Sequence, residues 1–236
     1  MARAITFIRQ NSPCAAQCSA GRWLLCAIIG PIVKAGVVAV LLLGLSWTAS
    51  AQDPVSLAPA LYKVEVDNAW VRVLRLTLGP HTKTPVHSHP PEVLVGVNHD
   101  PGRTLFRAAA TEVEENLSNE PLEEIVIELK PGRTKANPIA LDPVTLDPDH
   151  HLVVLDNPYV RALRTILEPG LKSPVHEHPH YVVIYVTELH TTMELGDGRV
   201  VDNPRRPGET AWRDYMKHAT LNVGAKTAVE TQVELK

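Results

Sequence analysis

The chain is 236 residues long, carries a formal charge of −3 and is 44% hydrophobic. That mixture excludes a disordered polar tail, and the absence of a basic run excludes nucleic acid, which needs Lys and Arg on one face to meet phosphate. All three cysteines, Cys14, Cys18 and Cys26, lie near the N-terminus. The body of ~185 residues is therefore expected to fold without disulfides, which a chain of that size does not need.

The first element is an apolar run, "AGVVAVLLLGLSW" at 35–47, with Lys34 before it and "TASAQDP" after it. A basic flank, a short apolar stretch and small residues at Ala49 and Ala51 fit a secretory signal cleaved after Ala51. The run is short for a membrane span of ~20 residues. A second apolar patch, "WLLCAIIGPIV" at 23–33, keeps an uncleaved anchor open as the alternative. Residues 1–51 thus read as a signal peptide or membrane leader, and the protein as periplasmic or secreted. Cleavage removes four basic residues and no acidic one, which takes the charge from −3 to −7.

The body repeats itself. "DNAWVRVLRLTLGPHTKTPVHSHP" (67–90) aligns without a gap with "DNPYVRALRTILEPGLKSPVHEHP" (156–179), at an offset of 89 residues with 14 of 24 positions identical. Repeats decide the architecture before any fold is proposed. Each copy opens on a short apolar strand ("LYKVEV", "HHLVVL"), turns at Asp-Asn, runs through a longer alternating strand and reaches a histidine pair. The copy ends, "NLSNEPLEEIVIELK" (116–130) and "NVGAKTAVETQVELK" (222–236), align at an offset of 106. Copy one is therefore 17 residues shorter between its histidines and its last strand. Copy two fills that interval with "TTMELGDGRVVDN", two strands joined by an Asp-Gly hairpin signal. Twenty prolines and frequent turns leave little room for helix and predict an all-β barrel or sandwich. The proline-rich segment 131–149 reads as a linker or crossing strand. The expected division is a shortened repeat over 52–140 and a full one over 141–236.

In a strand, residues i and i+2 share a face, ~7 Å apart, so an H-x-H pair can aim two imidazoles at one ion. His176 and His178 form such a pair, His87 and His89 form its counterpart, and both pairs are flanked by prolines. Copy two adds His218 near the start of its penultimate strand. Gly170, His176 and His178, followed by Pro207-Gly208, His218 and Asn222, resemble the two motifs of the cupin superfamily, and the repeat resembles a two-domain cupin. The resemblance covers roughly 60–236. It implies two tandem β-barrels of the double-stranded β-helix or jelly-roll type, the first degenerate. It also implies a divalent transition metal (iron, manganese, zinc or nickel) held by His176, His178 and His218.

Family members with the full motif carry a glutamate four or five residues after the second histidine, where this chain has Val182 and Val183. The expected site is then three histidines with open positions, workable as a Lewis acid or for oxygen chemistry. The end alignment sets Glu112 opposite His218, which gives a second, weaker set of His87, His89 and Glu112.

Strand alternation predicts that His180, and not Tyr181, shares the face of His178. Trp70 and Trp212 read as packing residues, Arg72 and Arg161 as donors to turn carbonyls. His99, His150, His151 and His190 are expected in solvent. No G-x-S-x-G, phosphate loop or reactive cysteine outside the leader is present, which disfavours acyl-transfer hydrolases and nucleotide enzymes. The leading expectation is an exported metal-dependent enzyme, of oxygenase or isomerase type, acting on a small molecule as a monomer or homodimer. A non-catalytic ligand- or metal-binding module of the cell envelope and a metal-free structural barrel are the alternatives.

Overall fold

A computed structural model describes residues 52–132 and 138–236. The expected leader and its cysteines lie outside the described residues, and no helix among those described is long and apolar enough to cross a membrane. Copy one consists of α1 (Pro54–Leu57), β1 (Tyr62–Asp67), β2 (Val71–Leu78), β3 (His87–His89), β4 (Glu92–Gly96), β5 (Thr104–Arg107), β6 (Ala110–Glu112) and β7 (Leu122–Leu129). Copy two consists of α2 (Pro143–Leu146), β8 (His151–Asp156), β9 (Val160–Leu167), β10 (His176–His178), β11 (Tyr181–Tyr185), β12 (Leu189–Leu195), β13 (Val200–Arg205), β14 (Thr210–Arg213), β15 (Met216–Asn222) and β16 (Ala228–Leu235).

Each copy is a two-sheet jelly roll with one five-stranded antiparallel sheet, ordered β1-β2-β7-β4-β5 in the first and β8-β9-β16-β11-β14 in the second. The opposing sheet holds four strands in copy two, β10-β15-β12-β13, and only β3-β6 in copy one. The pair β12–β13 is the hairpin that copy one lacks. Its turn carries Gly198 at a φ of +84°, the conformation that Asp-Gly supplies at least cost.

The alternation of β2 and β9 sorts their side chains onto two faces. Val71 and Val73, with Val160 and Ala162, face a core that both copies share, joined by Val93, Ile125, Ile127, Val182, Ile184 and Val233. Leu74, Leu76 and Leu78 turn inward to fill copy one. Leu167, Tyr181, Val183 and Tyr185 fill copy two. At ~1.5–3 kcal/mol for each large side chain buried, the shared core is the strongest tie between the copies.

Two reciprocal hydrogen bonds frame that core. Arg75 donates to the Gly208 carbonyl at 2.6 Å, and Arg164 donates to the Gly102 carbonyl at 2.6 Å. Both glycines have positive φ, +78° at Gly102 and +80° at Gly208. A Cβ at Gly102 would lie 2.5 Å from the Arg164 guanidinium, and one at Gly208 would lie 2.9 Å from Val97.

The segment 131–149 differs from the expected linker. Asp142 caps α2 and accepts from the Val144 backbone N–H at 3.1 Å, so the second copy already starts there. Asp53 caps α1 in the same way, and "DPVSL" and "DPVTL" extend the repeat upstream. Arg72 and Arg161 also differ from expectation. They bind carboxylates and not turn carbonyls: Arg72 joins Asp53 to Glu128, and Arg161 joins Asp142 to Glu234. Each thereby ties its capped helix to the last strand of its own copy.

Candidate metal centre

Strand β10 pairs with β15 so that His176 lies directly opposite His218. His178 shares the face of His176, and one ring nitrogen from each of the three histidines lies within 4.8 Å of the other two. Asn222, four residues after His218, fixes the end of β15 by donating to the Leu167 and Lys226 carbonyls at 2.8 Å. Its role is structural, and it sets the register that delivers His218.

The outer nitrogens of the rings are all engaged. His176 Nδ1 donates to the Pro174 carbonyl at 2.8 Å. His178 Nδ1 donates to Glu234 Oε1 at 2.7 Å, while Glu234 Oε2 accepts from Arg161 at 2.6 Å. His218 Nδ1 lies 3.3 Å from the Thr220 hydroxyl. A carbonyl and a carboxylate only accept, so His176 and His178 carry their protons on Nδ1 and turn bare Nε2 lone pairs inward. All three Nε2 atoms are buried without a hydrogen-bond partner. Three orphaned nitrogens in one place are costly in a protein interior, and an ion is what this donor set fits. Burial also holds His176 below the usual imidazole range and His178 and His218 well below it, which keeps the ligands neutral.

Three neighbours depart from the expectations. His151 is buried at 1% exposure, its ring 4.9 Å from that of His176. Burial first, and then the adjacent His176, lower its pKa to about 4. Tyr181 faces the interior with its ring 4.9 Å from His178, whereas His180 stacks between Trp70 and Trp212. The reason is the break at Pro179 and His180 between β10 and β11, which resets the alternation. Val183 also faces the interior, so no acid stands at the position of the family glutamate. His190 is exposed, as expected, and bound to Asp202, while His99 is half-buried and bound to the Pro121 carbonyl.

Copy one brings together a different set. Its register sets His87 opposite Glu112, and the residues that converge are His89, Glu92 and Glu112. His87 turns away. Its Nδ1 lies 3.0 Å from the Pro85 carbonyl and its Nε2 lies 3.5 Å from the Tyr62 hydroxyl. The guanidinium of Arg107 fills the centre, in contact with Glu92, Glu112 and Glu114 at once. Burial works against charge on His89, yet Glu112 and Glu92 hold its imidazole above the usual range. Desolvation pushes the Glu92 carboxyl up to about 7. Sequence reading missed Glu92 and Arg107, although both carry a charge inside strands that must face an interior.

Two clefts of about 570 and 600 Å3 lie elsewhere, one lined by His190, Arg205 and Lys226, the other by Lys63, Arg75 and Arg206. Neither includes a triad histidine.

No family model matches the chain, and no curated protein sequence does. Solved structures match it by shape. AerE from Microcystis aeruginosa is 11% identical with a TM-score of 0.51, over 75% of this chain and 97% of that one. A cupin 2 conserved barrel domain protein from Leptotrichia buccalis is 11% identical with a TM-score of 0.49, over 74% and 88%. A cupin domain from Bordetella pertussis Tohama I is 22% identical with a TM-score of 0.35, over 45% and 99%. At these identities the likeness is one of fold.

Proposed function

Because the chain carries the cupin fold in two copies, we propose that the second copy is a metal centre and that the protein acts through it on a small molecule, as an oxygenase or isomerase. His176, His178 and His218 would hold one divalent transition ion. The observation that carries this reading is the convergence of three buried Nε2 atoms that have no other partner. A divalent ion on three neutral imidazoles supplies Lewis acidity and leaves coordination positions open to a substrate.

The chain's own residues do the rest. Glu234, itself held by Arg161, orients the His178 ring, and the Pro174 carbonyl orients His176. Tyr181 and Leu167 close the interior beside the histidines and exclude water. Glu230 lies on the inward face of β16, where desolvation pushes its carboxyl up to about 7. It can hold or release a proton near neutrality, which suits a general acid or base. The leader expected over 1–51 supports action in the periplasm or outside the cell.

Elemental mass spectrometry on the purified protein should return about one equivalent of iron, manganese, zinc or nickel. His176→Ala and His218→Ala should lose it with the β-sheet circular dichroism intact. A folded wild-type protein that holds none of the four ions after incubation with each would overturn the reading.

A further inference from the structure

The two copies place an arginine at the same point of the same strand. Arg107 ends β5 and pairs with Glu92 of β4, and Arg213 ends β14 and pairs with Tyr181 of β11. In copy one the guanidinium reaches three carboxylates, Glu92, Glu112 and Glu114. The repeat offsets put Tyr181, His218 and Thr220 at those three positions in copy two. Every acid has been replaced by an uncharged group, and the arginine has been kept.

Arg213 is therefore a half-buried cation without its acids. Among the described residues it makes one hydrogen bond, to the Tyr185 hydroxyl at 3.3 Å, and no ion pair. Glu230, on the same interior, accepts from Gln232 at 2.7 Å and feels the charge of Arg213 without forming an ion pair with that arginine. A second guanidinium stands close by. Arg205, on the hairpin that copy one lacks, lies 5.2 Å over the Tyr185 ring. Its charge is partly offset by Glu209 at 3.8 Å. The place that Arg213 occupies is adjacent to the triad, because in copy one the corresponding guanidinium touches Glu112, the residue in the His218 position.

We propose that Arg213 is an anion receptor beside the histidine triad, and that the molecule admitted there is a small carboxylate. Copy one displays the fit, with a guanidinium of this strand saturated by carboxylate oxygens. Copy two presents the corresponding guanidinium with no ion pair among the described residues. Arginine suits the task because its planar fork meets a carboxylate through paired N–H donors and keeps its charge at any working pH. The inference rests on the metal-centre reading for the role of the bound molecule, and the binding of the anion itself can be tested apart from it.

Calorimetric titrations with acetate and benzoate, each set against its amide, test the proposal on wild-type protein and on Arg213→Met, with metal content measured on every sample. Wild-type protein should bind at least one acid and bind its amide ~10-fold or more weakly. Arg213→Met should lose ~10-fold or more for the acid while keeping its metal, since one charge-assisted hydrogen bond accounts for ~1.5–3 kcal/mol. The acid-against-amide contrast in wild-type protein stands even where the variant fails to fold. Acid and amide binding alike, neither acid binding, or undiminished acid binding by a folded Arg213→Met would each overturn the proposal. Metal retained with any of those results leaves the metal centre standing. Charge-selective binding by a protein that holds no metal sinks the metal centre and keeps the receptor.

Discussion

In copy one, β3 and β6 set His87 opposite Glu112, and in copy two, β10 and β15 set His176 opposite His218. A single register position, acid in one copy and imidazole in the other, accompanies a reversal of the whole interior. Copy one gathers Glu92, Glu112 and Glu114 around Arg107, a cation supplied by the chain itself. Copy two gathers neutral imidazoles with inward lone pairs, a set that could hold a metal ion. The same scaffold thus fills one centre with its own arginine and leaves the other as a candidate ion site. The comparison also explains why H-x-H alone is a weak signal. Both copies have it, and the residues paired across from it decide what it does.

The largest effect that could break this comparison is expected in copy one. Arg107→Met strands three carboxylates in a poorly hydrated interior and should cost ~3–5 kcal/mol in urea denaturation. Arg213→Met, at the same place in copy two, removes a hydrogen bond to a phenol and should cost ~1 kcal/mol or less. Equal losses would show that the two arginines do the same work. The metal stoichiometry comes next. His89→Ala should leave the metal content unchanged, while His178→Ala should abolish it. Gain of a second equivalent by Arg107→Met, at His89, Glu92 and Glu112, would show that the arginine stands in for an ion.

A finer test concerns the last strands. Glu234→Gln should weaken metal affinity ~10–100-fold by loosening His178, whereas Glu128→Gln should leave affinity alone. Competition with a chromophoric chelator reads both.

A further effect is expected on the acid limb of stability. His151, His176, His178 and His218 all titrate below the usual imidazole range when folded. The unfolded chain therefore binds more protons below pH ~6.5, and stability should fall with pH from there toward about 4, where His151 titrates. In metal-free protein, His151→Gln should flatten that slope. An unchanged slope would mean that other groups drive it.

Much of this was legible in the sequence. The repeat, the 17-residue deficit and the hairpin that accounts for it follow from two alignments, because jelly-roll strands keep their spacing. The pair His176 and His178 was legible from strand alternation, and His218 from the resemblance to the cupin motifs. What lay beyond the sequence depended on breaks and on distant partners. Pro179 interrupts the alternation, so the counting that favoured His180 over Tyr181 ran through a turn as though it were a strand. His151 looked exposed because it opens a strand, yet α2 and β10 cover it. The choice of Glu92 over His87 rested on Arg107, fifteen residues from Glu92 and in another strand.

The reciprocal bonds of Arg75 to Gly208 and of Arg164 to Gly102 carry a further consequence. They give the contact between the copies the isologous pattern of a two-fold dimer, written into one chain. In a dimer of identical subunits every substitution appears twice, and the partners separate on dilution. Here the tether sets an effective concentration that dilution cannot lower. One half is then free to lose a hairpin and fill its centre with Arg107 while still supplying its face of the contact, and the other half is spared both changes.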